Sequence, residues 1–193
     1  LTGGNTFVPR ILGDFWAGLD TSLLGRGADR AASTLRRAAM LTGGADRNAG
    51  GVEARIRITN LTGHKLPTGY PEGRRMWLSI TATDSAGDTV YRSGVYDTAT
   101  ATLIPDPAAP LYEAVHGLTD SMAGVYGLAA GPTFFFSLND TLLYDNRIPP
   151  RGFTNAGFSG RRAAPVGASY PDGAYWDDVE YAIPAAAVRV TAS

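Results

Sequence analysis

Cysteine is absent from this chain, which excludes disulfides, thiol catalysis and zinc thiolate sites. Lysine occurs once, at Lys65, against 16 arginines, and histidine only twice, at His64 and His116. A basic complement made almost wholly of arginine suits planar, forked ion pairs better than flexible solubilising charge. The net charge of −1 and a pI near 6.1 give no electrostatic reason to expect nucleic acid or an anionic membrane as partner. No apolar run approaches the roughly 18 residues of a membrane-spanning helix. Catalytic signatures are lacking too. The two histidines do not form the H-x-x-x-H pair of a hydrolytic zinc site, and no G-x-S-x-G occurs. Most of the 14 aspartates and 4 glutamates sit in turn contexts rather than as opposed carboxylates. The expectation is therefore a protein that is not an enzyme.

What is present is the material of one globular unit. At 193 residues, 44% hydrophobic and 18% charged, the chain is long enough for one sizeable core and short for two. Val8, Ile11, Leu12, Phe15, Trp16 and Leu19 recur at helical spacing, with Asn5 or Thr6 as the N-cap and Pro9 in the first turn. A second helix is expected over about 28–41, with Asp29 near its start, an Ala31, Leu35, Ala38 stripe, and Gly43-Gly44 as its stop. Past a glycine-rich link at 43–51 the period changes to two. Val52, Ala54, Ile56 and Ile58 alternate with Glu53, Arg55, Arg57 and Thr59, the signature of a strand with one buried face. A second alternating run, 76–83, enters an Asp/Gly turn at 84–88 and returns through 89–92 as a hairpin. Further strands are expected at 111–116, 133–138 and 187–191. The fold class that follows is mainly β: an antiparallel β-sandwich with long ordered loops and N-terminal helices packed against it. The division is a helical segment at 1–50 and a sandwich at 51–193, forming one compact unit.

The segment joining the first two alternating runs, residues 60–78, carries His64 and Lys65 among Gly63, Gly69, Gly73, Pro67 and Pro71. Proline fixes its own φ and extends the residue before it, so this connection is expected to follow one ordered path. GHKLPTGYPEGRRMWL (63–78), DNRIPPRGF (145–153) and PVGASYPDGAYWDDVEYAIP (165–184) together resemble the non-haem, β-rich, C-terminal part of bacterial multihaem cytochrome c-like proteins. The opening GGNTFVPRIL (3–12), with the helix after it, is similar to the segment that joins the haem-bearing region to that β domain. The pattern departs from the family in three places, one of them the last strand at 188–193, after which relatives continue with an aromatic segment and a further helix. No C-x-x-C-H exists to attach a haem, and Phe134-Phe135-Phe136 stands where such proteins tend to have Phe-His-Phe. A start at Leu rather than Met reads as processed or truncated. The chain is then either a piece of a larger protein or a domain parted from its haems.

The resemblance implies a non-catalytic structural or interaction domain of an extracytoplasmic (periplasmic, cell-surface or extracellular) multihaem electron-transfer system, which docks to or shields haem-bearing domains. Haem would reach it only through a partner. A self-assembling surface or filament subunit, with copies of itself as partner, is the alternative, and a calcium-stabilised small-ligand domain is a further one. His64 has two readings: an axial ligand to a partner's haem, or a brace whose ring hydrogen-bonds a carbonyl of its own loop. His116 is a weaker ligand candidate. Asp145, Asn146, Asp172, Asp177 and Asp178 are the oxygen donors that could converge on calcium, though no D-x-D-x-D-G loop is present. Arg74, Arg75 and Arg147 are read as architecture, tying loops to Asp145, Glu72 or nearby carbonyls, with Pro67 and Pro149 stiffening those loops. Tyr170, Tyr175, Trp176 and Tyr181 are read either as a carbohydrate-like platform or as packing across the sandwich edge.

Overall fold

The computed structural model describes residues 6–69 and 73–193. Helix α1 spans Val8–Phe15, with Pro9 in its first turn and Phe7, which offers no side-chain cap, at its N-cap. Thr6 does not fill that position, and Asn5 lies outside the described residues. Helix α2, Thr21–Arg36, begins and ends earlier than the sequence reading places it. Its N-cap is Asp20, whose carboxylate accepts from the Ser22 and Leu23 amides. That cap satisfies donors which otherwise lack a partner, and it outweighs the weak helix propensity of Gly25 and Gly27.

The Gly43-Gly44 pair stops no helix. It lies inside β1, Ala39–Asn48, which pairs along its whole length with β2, Gly51–Asn60, from Ala39↔Asn60 to Asn48↔Gly51. Residues 39–48, expected with the helical segment, thus belong to the sheet. A Cβ on Gly43 would stand 2.5 Å from the Arg55 carbonyl oxygen, so glycine permits the strands to approach there.

The run expected over 76–83 is broken into β3 (Met76–Trp77) and β4 (Ile80–Thr83). The Leu78 amide between them turns to the Pro110 carbonyl and the Ser79 amide to that of Ser193. Asp84 then accepts from the Ala86 and Asp88 amides, closing the turn into β5 (Thr89–Ser93). Short strands follow at β6 (Tyr96–Asp97), β7 (Thr102–Leu103), β8 (Leu111–Tyr112) and β9 (Ala114–Leu118). Next come α3 (Asp120–Tyr126), β10 (Gly131–Pro132) and β11 (Thr141–Asp145). Helix α4 (Asn155–Ser159), β12 (Trp176–Ile183) and β13 (Arg189–Ala192) complete the chain. The strand expected over 133–138 does not form. Those residues turn, and Phe134 is 81% exposed; the neighbouring strand is β11, further on. An unalternating apolar run reads as a buried strand by composition, but pairing with β9 is taken instead by 141–145.

The protein is mainly β and antiparallel. Its sheets run β1-β2-β12, β10-β9-β11 and β13-β4-β5, with two-stranded ribbons β3-β8 and β6-β7. Val52, Ala54, Ile56 and Ile58 of β2 join Ile80 and Ala82 of β4 and Tyr181 and Ile183 of β12 in one buried cluster, so the first and third sheets share a core. Two of the arginines face outward from β2 and are used as forks. Arg55 meets Asp46, Glu53 and Glu180, while Arg57 forks onto Asp178 and lies 4.7 Å from the centre of the Trp176 ring.

Helices α1 and α2 pack chiefly on each other, with Ala28 and Ala31 buried. Phe7, Phe15, Trp16 and Leu23 remain in solvent, each more than half exposed.

Candidate functional site

The loop after β2 is anchored by one side chain. Asn60 is buried, and its amide nitrogen reaches the carbonyl oxygens of His64 (2.8 Å), Ile148 (2.9 Å) and Pro149 (2.9 Å). Its own oxygen accepts from the Thr62 amide and hydroxyl. Leu66 and Ile148 exchange backbone hydrogen bonds at 2.9 and 3.0 Å, and the Leu66-Pro67 peptide is cis. Residues 60–67 are thereby laced to 145–150. Pro149 is fully buried in this seam.

Beneath it lies a buried ionic group. The Lys65 ammonium donates to Asp145 at 2.8 Å, and Arg147 forks onto both oxygens of the same carboxylate at 2.8 and 2.7 Å. The side chains of Lys65, Asp145 and Arg147 are 7%, 1% and 13% exposed. Burial alone would push the Asp145 carboxyl up, but the hydrogen bonds from Arg147 and Lys65 outweigh it and hold the group below the ordinary carboxylate range. Burial pulls the Lys65 ammonium down, against the opposing pull of Asp145. Two largely buried cations therefore share one anion, and such an arrangement persists only with its hydrogen bonds complete.

Both histidines of the chain reach one groove of about 500 Å³, whose walls include Lys65, Arg147, Phe158 and Arg162. His116 comes from β9 and is partly buried. His64 is exposed, and its ring makes no hydrogen bond among the described residues. The loop is braced by the His64 backbone, whose carbonyl accepts from Asn60 and Thr62, not by the imidazole. The same His64 borders a second, larger groove of about 980 Å³, lined by Leu35 of α2, by Ala38 in the turn after it, and by Leu61, Leu66, Pro67 and Met76. His64 thus stands between two grooves, and the larger adds Arg37, Arg74 and Arg75 to its apolar lining.

The expected calcium donors are not brought together. Asp145 is held as described; Asn146 accepts from the Glu113 amide and donates to the Leu111 carbonyl. Asp172 accepts from the amide and side chain of Asn155, Asp177 from the Tyr112 hydroxyl, and Asp178 from Arg57. Among the described residues no group of three or more histidines and carboxylates is placed to hold a metal ion. Arg74 donates to the Thr68 carbonyl and Arg75 to Glu113; Glu72 lies outside the described residues. The four aromatics do not share a platform. Tyr170 is buried with its hydroxyl on the Asn146 carbonyl, Tyr181 is in the core, and Tyr175 meets Trp176 edge to face.

Asn60 and Arg162 are the residues that sequence reasoning passes over. Asn60 could have been flagged as a polar residue ending a strand's buried face, but Arg162 carries no local signal.

No family pattern and no curated protein matches the chain. Among solved structures, the crystal structure of a penta-heme cytochrome c552 from Thermochromatium tepidum aligns at 18% identity with a TM-score of 0.49. The alignment covers 83% of this chain and 32% of that one, so the chain spans about a third of that protein's length.

Proposed function

We propose that this chain is a non-catalytic interaction domain of an extracytoplasmic multihaem cytochrome-type electron-transfer system, and that it docks against a haem-bearing domain. The observation that carries the reading is the His64 ring: exposed, without a hydrogen bond among the described residues, and mounted on a loop locked by Asn60. A neutral imidazole held in that way is suited to ligate a metal presented from outside. The motifs at 63–78, 145–153 and 165–184, which resemble the β-rich part of multihaem cytochromes, point to haem as the partner's group. With no cysteine the chain cannot attach a haem itself, and His64 is the residue that would hold the iron of a partner's. Haem supplies the one-electron chemistry; this chain supplies the ligand, the apolar wall from Leu35 to Met76, and cover from water. Exposed Phe15 and Trp16 at the end of α1 add apolar surface of the kind that a partner covers.

The test uses a haem-bearing cytochrome domain, or a soluble haem peptide with one open axial position in its place. Mixing with the protein should give a six-coordinate, low-spin absorption spectrum. His64→Ala should leave the haem high-spin, whereas His116→Ala should behave as the parent. Because the ring makes no hydrogen bond among the described residues, His64→Ala should alter the stability of the protein alone by no more than about 0.5 kcal/mol. A low-spin spectrum that survives His64→Ala would defeat the proposal.

A second reading, self-assembly, has its own observation. Strands β1 and β13 both lie at sheet edges, and between them opens a groove of about 430 Å³ floored by Val52, Ile56 and Val190. An unpaired sheet edge beside an apolar groove is a template for a strand from another chain.

A further inference from the structure

The groove that holds both histidines is lined by three cations and one carboxylate, Asp145. Lys65 and Arg147 share the single carboxylate of Asp145. Arg147 spends its Nε and one terminal nitrogen on that carboxylate, and among the described residues its Nη1 donates to nothing. Arg162 adds a third positive charge to the same lining. Its guanidinium forms no hydrogen bond or ion pair among the described residues, in contrast to its neighbour Arg161, which donates to the Gly157 carbonyl.

The backbone of Arg162 makes the point sharper. It sits at φ 53°, in the left-handed region, where the chain leaves α4 with the Arg162 amide on the Ser159 carbonyl and the Ala163 amide on that of Phe158. Glycine suits such a helix end best, and a side chain there is held against a backbone preference. Nothing in the cap itself uses the guanidinium. A strained residue whose side chain faces a groove points to a role for that side chain.

The rest of the lining defines what would fit. Leu142, Pro150 and Phe158 are apolar, and about 500 Å³ is room for an organic molecule rather than a bare inorganic ion. Arginine forks match the planar carboxylate group. We propose that this groove is a binding site for an organic carboxylate, with the carboxyl group held by Arg162 above the Lys65–Arg147 pair and the apolar body directed toward Leu142 and Phe158. The site stands on the groove alone and does not require the docking role of His64. A free organic acid and the propionate of a docked haem offer the same group, and the experiment separates them.

The first arm titrates the isotopically labelled full chain with sodium benzoate and follows backbone amide shifts. Saturable shifts should appear at 63–65 and 160–163, and methyl benzoate should produce none. Arg162→Gly relieves the left-handed strain, so it should fold at least as stably as the parent and still lose about tenfold or more in benzoate affinity. The second arm uses a haem peptide with free or esterified propionates, on His64→Ala protein so that iron ligation does not contribute. A preference for the free acid that vanishes in Arg162→Gly assigns the site to a propionate. Equal binding of both forms, with benzoate still saturating, assigns it to a free organic acid. No saturable benzoate shift, equal benzoate affinity in Arg162→Gly, or equal binding of methyl benzoate would each overturn the inference.

Discussion

Among the described residues Asp145 is the only anion that meets Lys65 and Arg147 in their shared burial. Asp145→Asn keeps the shape and removes the charge, leaving two buried cations without a counter-ion. The variant should lose about 3–5 kcal/mol at pH 7, measured by urea unfolding. The pH dependence has a definite sign. The folded group is held below its ordinary value of 3.8, so the unfolded chain takes up a proton first as pH falls. The contribution of Asp145 is therefore complete above about pH 5 and is lost on passing down through the folded-state value. The gap between parent and Asp145→Asn should narrow on going from pH 7 to pH 3; a gap that stays constant would show that the carboxylate is not paired as described. Tyr181, pushed up to about 12 by burial, stays neutral throughout that range.

At the scale of elements, β1 shows how a partner strand can impose structure on a segment with little propensity of its own. Glycine, alanine, aspartate and asparagine are all poor strand formers, yet 39–48 pair residue for residue with β2, whose alternation is strong. The two central glycines face different demands. A Cβ on Gly43 would meet the Arg55 carbonyl and the Ile56 side chain, whereas one on Gly44 would meet open space. Gly43→Ala should cost about 1–3 kcal/mol, and Gly44→Ala should be neutral to within about 0.5 kcal/mol. Thermal melts of the two single variants compare them directly. Equal effects would mean that β1 does not lie on β2 in this register.

Across the whole molecule, apolar surface is distributed unevenly. The core between the first and third sheets is closed, while the α1–α2 pair, the Phe134-Phe135-Phe136 turn and the groove between β1 and β13 all leave large side chains in water. The docking reading expects the purified chain to sediment as one species over a wide concentration range and to form a defined complex with a haem-bearing domain. Self-assembly expects mass to grow with concentration, and that growth to vanish when residues 1–20 are removed while the β-type circular dichroism persists. Sedimentation velocity on both chains decides between them. Growth that the truncation abolishes would place assembly ahead of docking.

Much of this protein was legible in its sequence, because local periodicity states directly which face of a segment leaves water. The alternation from Val52 to Ile58 predicted β2 and its buried side, the Asp84–Asp88 spacing predicted the turn into β5, and the stripe from Val8 to Phe15 predicted α1. The lack of cysteine was equally plain without any structure: the sequence contains no C-x-x-C-H motif. What only the tertiary structure decided were the relations between segments far apart in the chain. Nothing local announces that glycine-rich 39–48 is a strand, that Asp145 serves Lys65, or that His64 and His116 line one groove with Arg162. Those facts arise from which strand edges and carbonyls satisfy one another once the core closes. A hydrogen bond such as that from Asn60 to the Ile148 carbonyl joins residues whose sequence neighbourhoods carry no trace of each other.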